Sequence, residues 1–302
     1  MIKRRTTAWN VWFGVRYRIH PLFSIVLLLS VLTGYFIEIV TLFGIVLIHE
    51  LGHVAAAKAF GWRVTEVQLL PFGGVAVVEE MGGVSVWEDI AVALAGPLQN
   101  VWMMLVGWVL TATGILPAEW GHYFIQANLL IALFNLMPVL PLDGGKVMRA
   151  LLSLWLPYQR TIHLAALTSL ILSAAFIVMS ALHVMTAKGG IQLNWLMIGI
   201  FLLFSNWYEF RGLPYHFMRF LLNREAGLKR SWTEGTLARP IVVGGRRQVA
   251  DIVRLFMRDR YHLVYVLDDR GSIRHVVPER ALLQLYFNET KRSLPLSDLF
   301  AG

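Results

Sequence analysis

The sequence predicts a polytopic α-helical membrane protein: six transmembrane helices, a membrane-associated β-hairpin near 64–84, and a small α/β domain at the C-terminal end. Three observations predict it. Of the 302 residues, 57% are hydrophobic and only 15% are charged, against about 25% charged in a soluble domain. Mean hydropathy is +0.59. The apolar residues also gather into long runs separated by short charged segments, and after Arg211 the composition turns ordinary. The expected organisation is a membrane domain over 1–215, a linker over 216–225 and a regulatory domain over 226–302.

The first apolar run covers about 21–35, short for a helix that needs about 20 residues to cross. The second covers about 41–60, the third 90–115, the fourth 124–140, the fifth 162–184 and the sixth 191–210. Between the second and third runs, two β-prone stretches flank Pro71-Phe72-Gly73-Gly74, which is hairpin chemistry. The hairpin is too apolar for a solvated connection. Irregular backbone at membrane depth must be covered by protein, so it is expected to dip in against the helices, with a plain interfacial hairpin as the alternative. Beyond 226, Val249–Met257 has helical spacing, Leu263–Leu267 and Ile273–Val277 read as strands around an Asp268–Gly271 turn, and Pro278–Tyr286 reads as a helix.

The charges set an orientation. Lys3, Arg4, Arg5, Arg16 and Arg18 precede the first run, Lys58 and Arg63 follow the second, and Lys146, Arg149 and Arg160 follow the fourth. The intervening connections hold one basic residue, Lys188. By the positive-inside rule both termini are cytoplasmic. The net charge of +8 is spread among these connections, so direct nucleic-acid binding is not expected. No cysteine is present, so any metal must use histidine and carboxylate ligands. The N-terminus lacks a clean cleavage site, and the first run is expected to be retained.

Within the second run lies His49-Glu50-Leu51-Gly52-His53. Histidines four apart share one helix face, where they can hold one Zn²⁺ while the neighbouring glutamate activates a water. An ionisable residue at a helix centre in lipid costs about 2.5–3.5 kcal/mol on insertion scales, so its presence there argues for use. A third ligand is required, and Asp143 is the best candidate. It ends an apolar run that Pro138, Pro141, Gly144 and Gly145 break. Its alternative role is a helix N-cap. The expected chemistry is peptide hydrolysis, with His49, His53 and Asp143 as metal ligands and Glu50 as proton carrier. A substrate helix must unwind to be cut, and a strand edge within 64–78 would pair with the extended segment. His122, His163 and His183 at run ends read as structural, and Asn135 reads alternatively as an interhelical hydrogen-bonding residue.

His49-Glu50-Leu51-Gly52-His53 together with Asn135-x-x-Pro138-x-x-Pro141-Leu142-Asp143-Gly144-Gly145 resembles the site-2 protease family of intramembrane zinc metalloproteases. Leu70-Pro71-Phe72-Gly73-Gly74, Ala95-Gly96-Pro97-Leu98-Gln99 and His20-Pro21 extend the likeness toward a bacterial sporulation branch. The resemblance implies one zinc per chain, and substrate contacts at Asn135, Pro138, Pro141, Phe72, Gly73 and Gly74. It implies regulated intramembrane proteolysis of a membrane-associated pro-sigma factor in the outer forespore membrane, facing the mother cell, with membrane inhibitor proteins as partners. The C-terminal domain resembles a single divergent CBS domain, which implies ATP binding and homo-oligomers. Two rival readings of the residues are a metal or proton transporter, because broken helices with histidine and aspartate also line ion paths, and a membrane-anchored nucleotide sensor.

Overall fold

The computed structural model describes residues 11–12, 15–19, 21–70, 73–79, 84–186, 193–234 and 237–299. The chain forms two compact units. The first runs to residue 147, and the second runs from 148 and also takes in 82–86 and 139–141.

The first unit opens with β1 (Val11–Trp12) and β2 (Val15–Ile19), followed by α1 (Pro21–Thr33) and α2 (Phe36–Ala59). Gly34, at φ +81°, makes the turn between the two helices, a conformation glycine adopts without steric cost. Helix α2 is apolar nearly all round. Ile37, Val40, Ile48 and Leu51 are exposed, while Ile45, His49, Gly52, His53, Val54 and Ala57 form its buried stripe. A helix with greasy residues on both faces suits lipid on one side and protein on the other. It ends in a Schellman motif. The Gly61 amide donates to the Lys58 carbonyl and the Trp62 amide to the Ala57 carbonyl, both at 2.9 Å, with Gly61 at φ +77°. Trp62 then packs on Val54 and Ala57.

Strands β3 (Arg63–Leu70) and β4 (Gly73–Glu79) pair antiparallel, and β2 pairs parallel to β3, giving the order β1-β2-β3-β4. Strand β3 therefore has a neighbour on both sides. Among the described residues, β2 covers Glu66–Leu69 on one edge of β3, and the outer edge of the expected hairpin is that of β4. Strands β1 and β2 were not expected. Val15, Tyr17 and Ile19 alternate with Arg16 and Arg18, a two-residue period that sheet pairing uses. Pro71 and the expected substrate contact Phe72 lie outside the described residues.

Helices α3 (Val86–Ala112) and α4 (Ala118–Asn135) follow, and α5 (Asp143–Ser153) starts at the aspartate. The fourth apolar run stops five residues earlier than expected, because the chain turns before Pro138, which disfavours helix at the residue before it. Ile45, Met103 and Ala127, one each from α2, α3 and α4, form an apolar cluster with Leu42, Phe124 and Ile131.

In the second unit, α6 (Tyr158–Thr186) and α7 (Leu193–Glu234) lie side by side, followed by β5 (Ala238–Gly244), α8 (Val249–Val253), β6 (Tyr261–Leu267), β7 (Ile273–Pro278), α9 (Glu279–Phe287) and α10 (Leu296–Leu299). Strand β5 runs parallel to β6, and β6 antiparallel to β7. The expected strands Leu263–Leu267 and Ile273–Val277 lie within β6 and β7, the expected helix 249–257 stops at Val253 in α8, and the expected helix from Pro278 starts one residue later as α9. The expected linker over 216–225 does not exist as a break: those residues are helical, inside α7. Leu213, Phe217 and Leu221 recur every four residues and are buried in one cluster with Ile162, Ala166, Val264 and Leu282. That stripe extends the helix straight into the C-terminal core.

Among the described residues, three helices are long and apolar enough to cross a membrane: Phe36–Ala59, Val86–Ala112 and, within α6, Tyr158–Leu182. Helix α1 has 13 residues and α4 has 18.

Candidate metal centre

Helix α2 presents His49 and His53 one turn apart, with ring centroids 4.8 Å apart and the planes nearly perpendicular. The two Nε2 atoms are 3.1 Å from each other. Asp143, the first residue of α5, places Oδ2 3.1 Å from both. All three residues are buried. The other carboxylate oxygen accepts a hydrogen bond from Lys146 Nζ at 2.9 Å. Both oxygens of Asp143 thus face side chains. Glu50 is half-buried beside the histidines, with carboxylate and imidazole atoms within 4.8 Å of one another.

Close helix contact makes this arrangement possible. A Cβ on Gly96 of α3 would run into His53 Nε2 and would come 2.6 Å from His49 Nε2. A Cβ on Gly52 would lie 2.6 Å from the Gln99 side chain and 2.7 Å from the Ala95 carbonyl. Glycine at both positions lets α2 and α3 meet at backbone distance. Gly144 does the same after the broken helix, where a Cβ would strike the Leu136 carbonyl oxygen.

The donor set fits a cation. His53 Nδ1 lies 2.7 Å from the Val92 carbonyl oxygen. A carbonyl can only accept, so Nδ1 carries a proton, which in the neutral ring leaves Nε2 as a lone pair. His49 Nδ1 lies 2.5 Å from Asn100 Oδ1, with the same consequence. With both rings neutral, two imidazole lone pairs and a carboxylate oxygen converge here, an arrangement that is repulsive without a positive charge at its centre. Atoms 3.1 Å apart in a triangle leave a point about 2.0–2.1 Å from each, the ordinary zinc–nitrogen and zinc–oxygen distance.

The remaining expected site residues are the proposed substrate contacts. The Asn135 side chain donates to the Ile131 carbonyl of its own helix at 3.1 Å. Pro138 and Pro141 are exposed. Gly73 and Gly74 open β4, opposite Leu70 and Leu69. Asn100, Asn128 and Lys146 were not singled out from the sequence. The two asparagines carry the same signal as Asn135, a lone amide in an apolar helix.

Paired histidines on an apolar helix, a glutamate beside them and a carboxylate from a broken helix define a membrane-embedded zinc metalloprotease. Residues 37–119 match the model of Peptidase family M50. The chain is 34% identical over 292 residues to stage IV sporulation protein FB of Bacillus subtilis (strain 168), covering 96% of this chain and 98% of that one. It is 41% identical over 115 residues to a putative zinc metalloprotease of Synechocystis sp., covering 36% of this chain and 30% of that one. A solved structure, the site-2 protease from Methanocaldococcus jannaschii, superposes with a TM-score of 0.52 at 25% identity, covering 66% of this chain and 93% of that one. The chain belongs to peptidase family M50, the site-2 proteases.

Proposed function

We propose that this site-2 protease cuts within the membrane, with His49, His53 and Asp143 holding one zinc ion per chain and Glu50 carrying the proton. The convergence of two imidazole nitrogens and a carboxylate oxygen within 3.1 Å of one another supports that ligand choice. A bound zinc would supply polarisation of the scissile carbonyl and added acidity for an attacking water. Glu50 is within reach to take the water proton and return it to the leaving amine. The 3.1 Å triangle is tighter than the 4.8 Å spread that includes Glu50, which favours Asp143 as third ligand and leaves Glu50 free. Lys146 holds the distal oxygen of Asp143 and so fixes which oxygen faces the histidines.

The substrate is proposed to be a membrane-associated pro-sigma factor that loses its N-terminal prosequence during sporulation. Near end-to-end similarity to the Bacillus subtilis sporulation protein and the matched motif residues support this reading. Asn135, Pro138, Pro141, Phe72, Gly73 and Gly74 are the proposed substrate contacts. The proposed setting is the outer forespore membrane, with six spans, the β3–β4 hairpin entering the bilayer, and membrane inhibitor proteins as partners. The β5–α8–β6–β7–α9 order supports a CBS-like regulatory domain that binds ATP and pairs chains. ATP titration of the purified chain, followed by light scattering, checks both; no binding and a fixed monomer would remove them.

The direct test is co-expression with a candidate pro-sigma factor. The wild-type chain should shorten it, and the Glu50→Gln form should leave it intact while keeping zinc. A pro-sigma factor left whole by the wild type, alongside cleavage of another membrane substrate, would retain the protease and reject the substrate class.

A further inference from the structure

Asn100 on α3 and Asn128 on α4 are both fully buried, and the chemistry proposed for the site gives neither a role. They are joined head to tail. Asn128 Nδ2 donates to the Phe124 carbonyl oxygen at 2.9 Å. Asn128 Oδ1 accepts from Asn100 Nδ2 at 3.2 Å. Asn100 Oδ1 then faces His49 Nδ1 at 2.5 Å.

The direction of this chain is set at its far end. The Phe124 carbonyl can only accept, so the Asn128 amide must turn its NH₂ toward it. Its oxygen then points at Asn100, which must answer with its own NH₂. That leaves the Asn100 oxygen facing His49, which must place its proton on Nδ1. Flipping any one amide would set donor against donor or acceptor against acceptor in an apolar interior, where each mismatch costs the desolvation of a buried polar group. Both amides are fully buried, away from bulk water that would relax the order.

We infer that Asn128 and Asn100 form a polar relay across three helices that fixes the tautomer of His49, holding its Nε2 bare and aimed at the metal position. They are positioning residues, and Asn128 acts at one remove, without touching the histidine. The inference rests on the zinc reading of the site. It differs from ordinary interhelical bonding by the order of donors it requires. His53 reaches the same state by a shorter route, directly through the Val92 carbonyl.

The test uses the full-length chain in detergent, with ¹⁵N-labelled histidine and a zinc-chelator competition. Loss of signals in His49→Gln assigns the ring nitrogens of His49. In metal-free wild type, His49 should carry its proton on Nδ1. Asn128→Leu frees the Asn100 amide to flip, so a fraction of His49 should move its proton to Nε2. Zinc affinity should then fall roughly 10–100-fold, as for other outer-shell partners of metal ligands. Asn128→Asp should restore affinity to within about threefold. A carboxyl buried among apolar groups stays protonated, so it can donate to Phe124 and accept from Asn100. The wild-type tautomer remains decisive if Asn128→Leu does not fold. A proton on Nε2 in wild type, or unchanged affinity and tautomer in a folded Asn128→Leu, would overturn the relay alone. A wild-type chain with no zinc affinity would overturn the relay and the metal reading together.

Discussion

At the scale of single residues, the centre is assembled from side chains that are costly wherever they lack a partner. His49, His53 and Asp143 are buried in apolar surroundings, and each is answered by a hydrogen bond or by the shared metal position. That cost made them legible in the sequence, because an ionisable group in an apolar run must be satisfied. The supporting residues were harder to read. An interhelical amide bond in a membrane protein contributes about 0.6 kcal/mol on average, so Asn100 and Asn128 carry a much weaker composition signal. Lys146 sits on an exposed turn of α5 and reads as an ordinary loop cation. Gly96 is legible only as part of a family motif, since its purpose is a contact between two helices. Gly96→Ala should push both imidazoles off the shared point and lower zinc affinity by roughly tenfold or more. Zinc competition on the folded variant checks this, and affinity equal to wild type would mean that α3 can retreat without disturbing the ligands.

At the scale of elements, the fold departs from its sequence reading where a charged surface hides a buried stripe. The composition turns ordinary after Arg211 and residues 216–225 read as a linker, yet Leu213, Phe217 and Leu221 carry α7 into the core of the second unit. Arg224 follows on the same helix. It is buried against Glu279 and donates to the Met257 carbonyl at 2.7 Å, with its guanidinium 3.0 Å from His262 Nδ1. Burial raises the Glu279 carboxyl, but hydrogen bonds from His262 and Arg224 outweigh it and hold the group below the usual carboxylate range. Its contribution is therefore present above the unfolded value and is lost as pH falls through the folded one. Removing one partner of such a buried pair costs about 3–5 kcal/mol, so Arg224→Met should destabilise the second unit by that amount. Denaturant unfolding followed in the C-terminal elements measures it, and a change under about 1 kcal/mol, the range of an exposed pair, would mean solvent reaches the pair. In the first unit, β4 is the outer strand beyond β3. Within any two adjacent β4 residues, one amide points away from β3. Of Ala76→Pro and Val77→Pro, the one whose amide faces outward should reduce cleavage while zinc content stays at the wild-type level. Equal cleavage by both would remove strand addition at this edge.

At the scale of the whole chain, the composition announced a membrane protein, and three helices meet the length and hydropathy of a span. The proposed count of six rests on helices that are marginal alone, such as α1 with 13 residues. A short helix can cross only where the bilayer thins or neighbours cover its ends. The absence of native cysteine makes a clean topology test available. Ala118→Cys, at the start of α4, should label from outside the cytoplasm, and Ser293→Cys, in the C-terminal part, only after the cytoplasmic face is opened. Labelling of both from the same side would refute the six-span arrangement.

The proposed ligand set is tested most directly by the zinc content of the purified full-length chain beside its Asp143→Ala and Glu50→Gln forms. One zinc per chain is expected in the wild type and in Glu50→Gln, with zinc lost from Asp143→Ala. Zinc retained by Asp143→Ala and lost from Glu50→Gln would make the glutamate the third ligand and contradict the account.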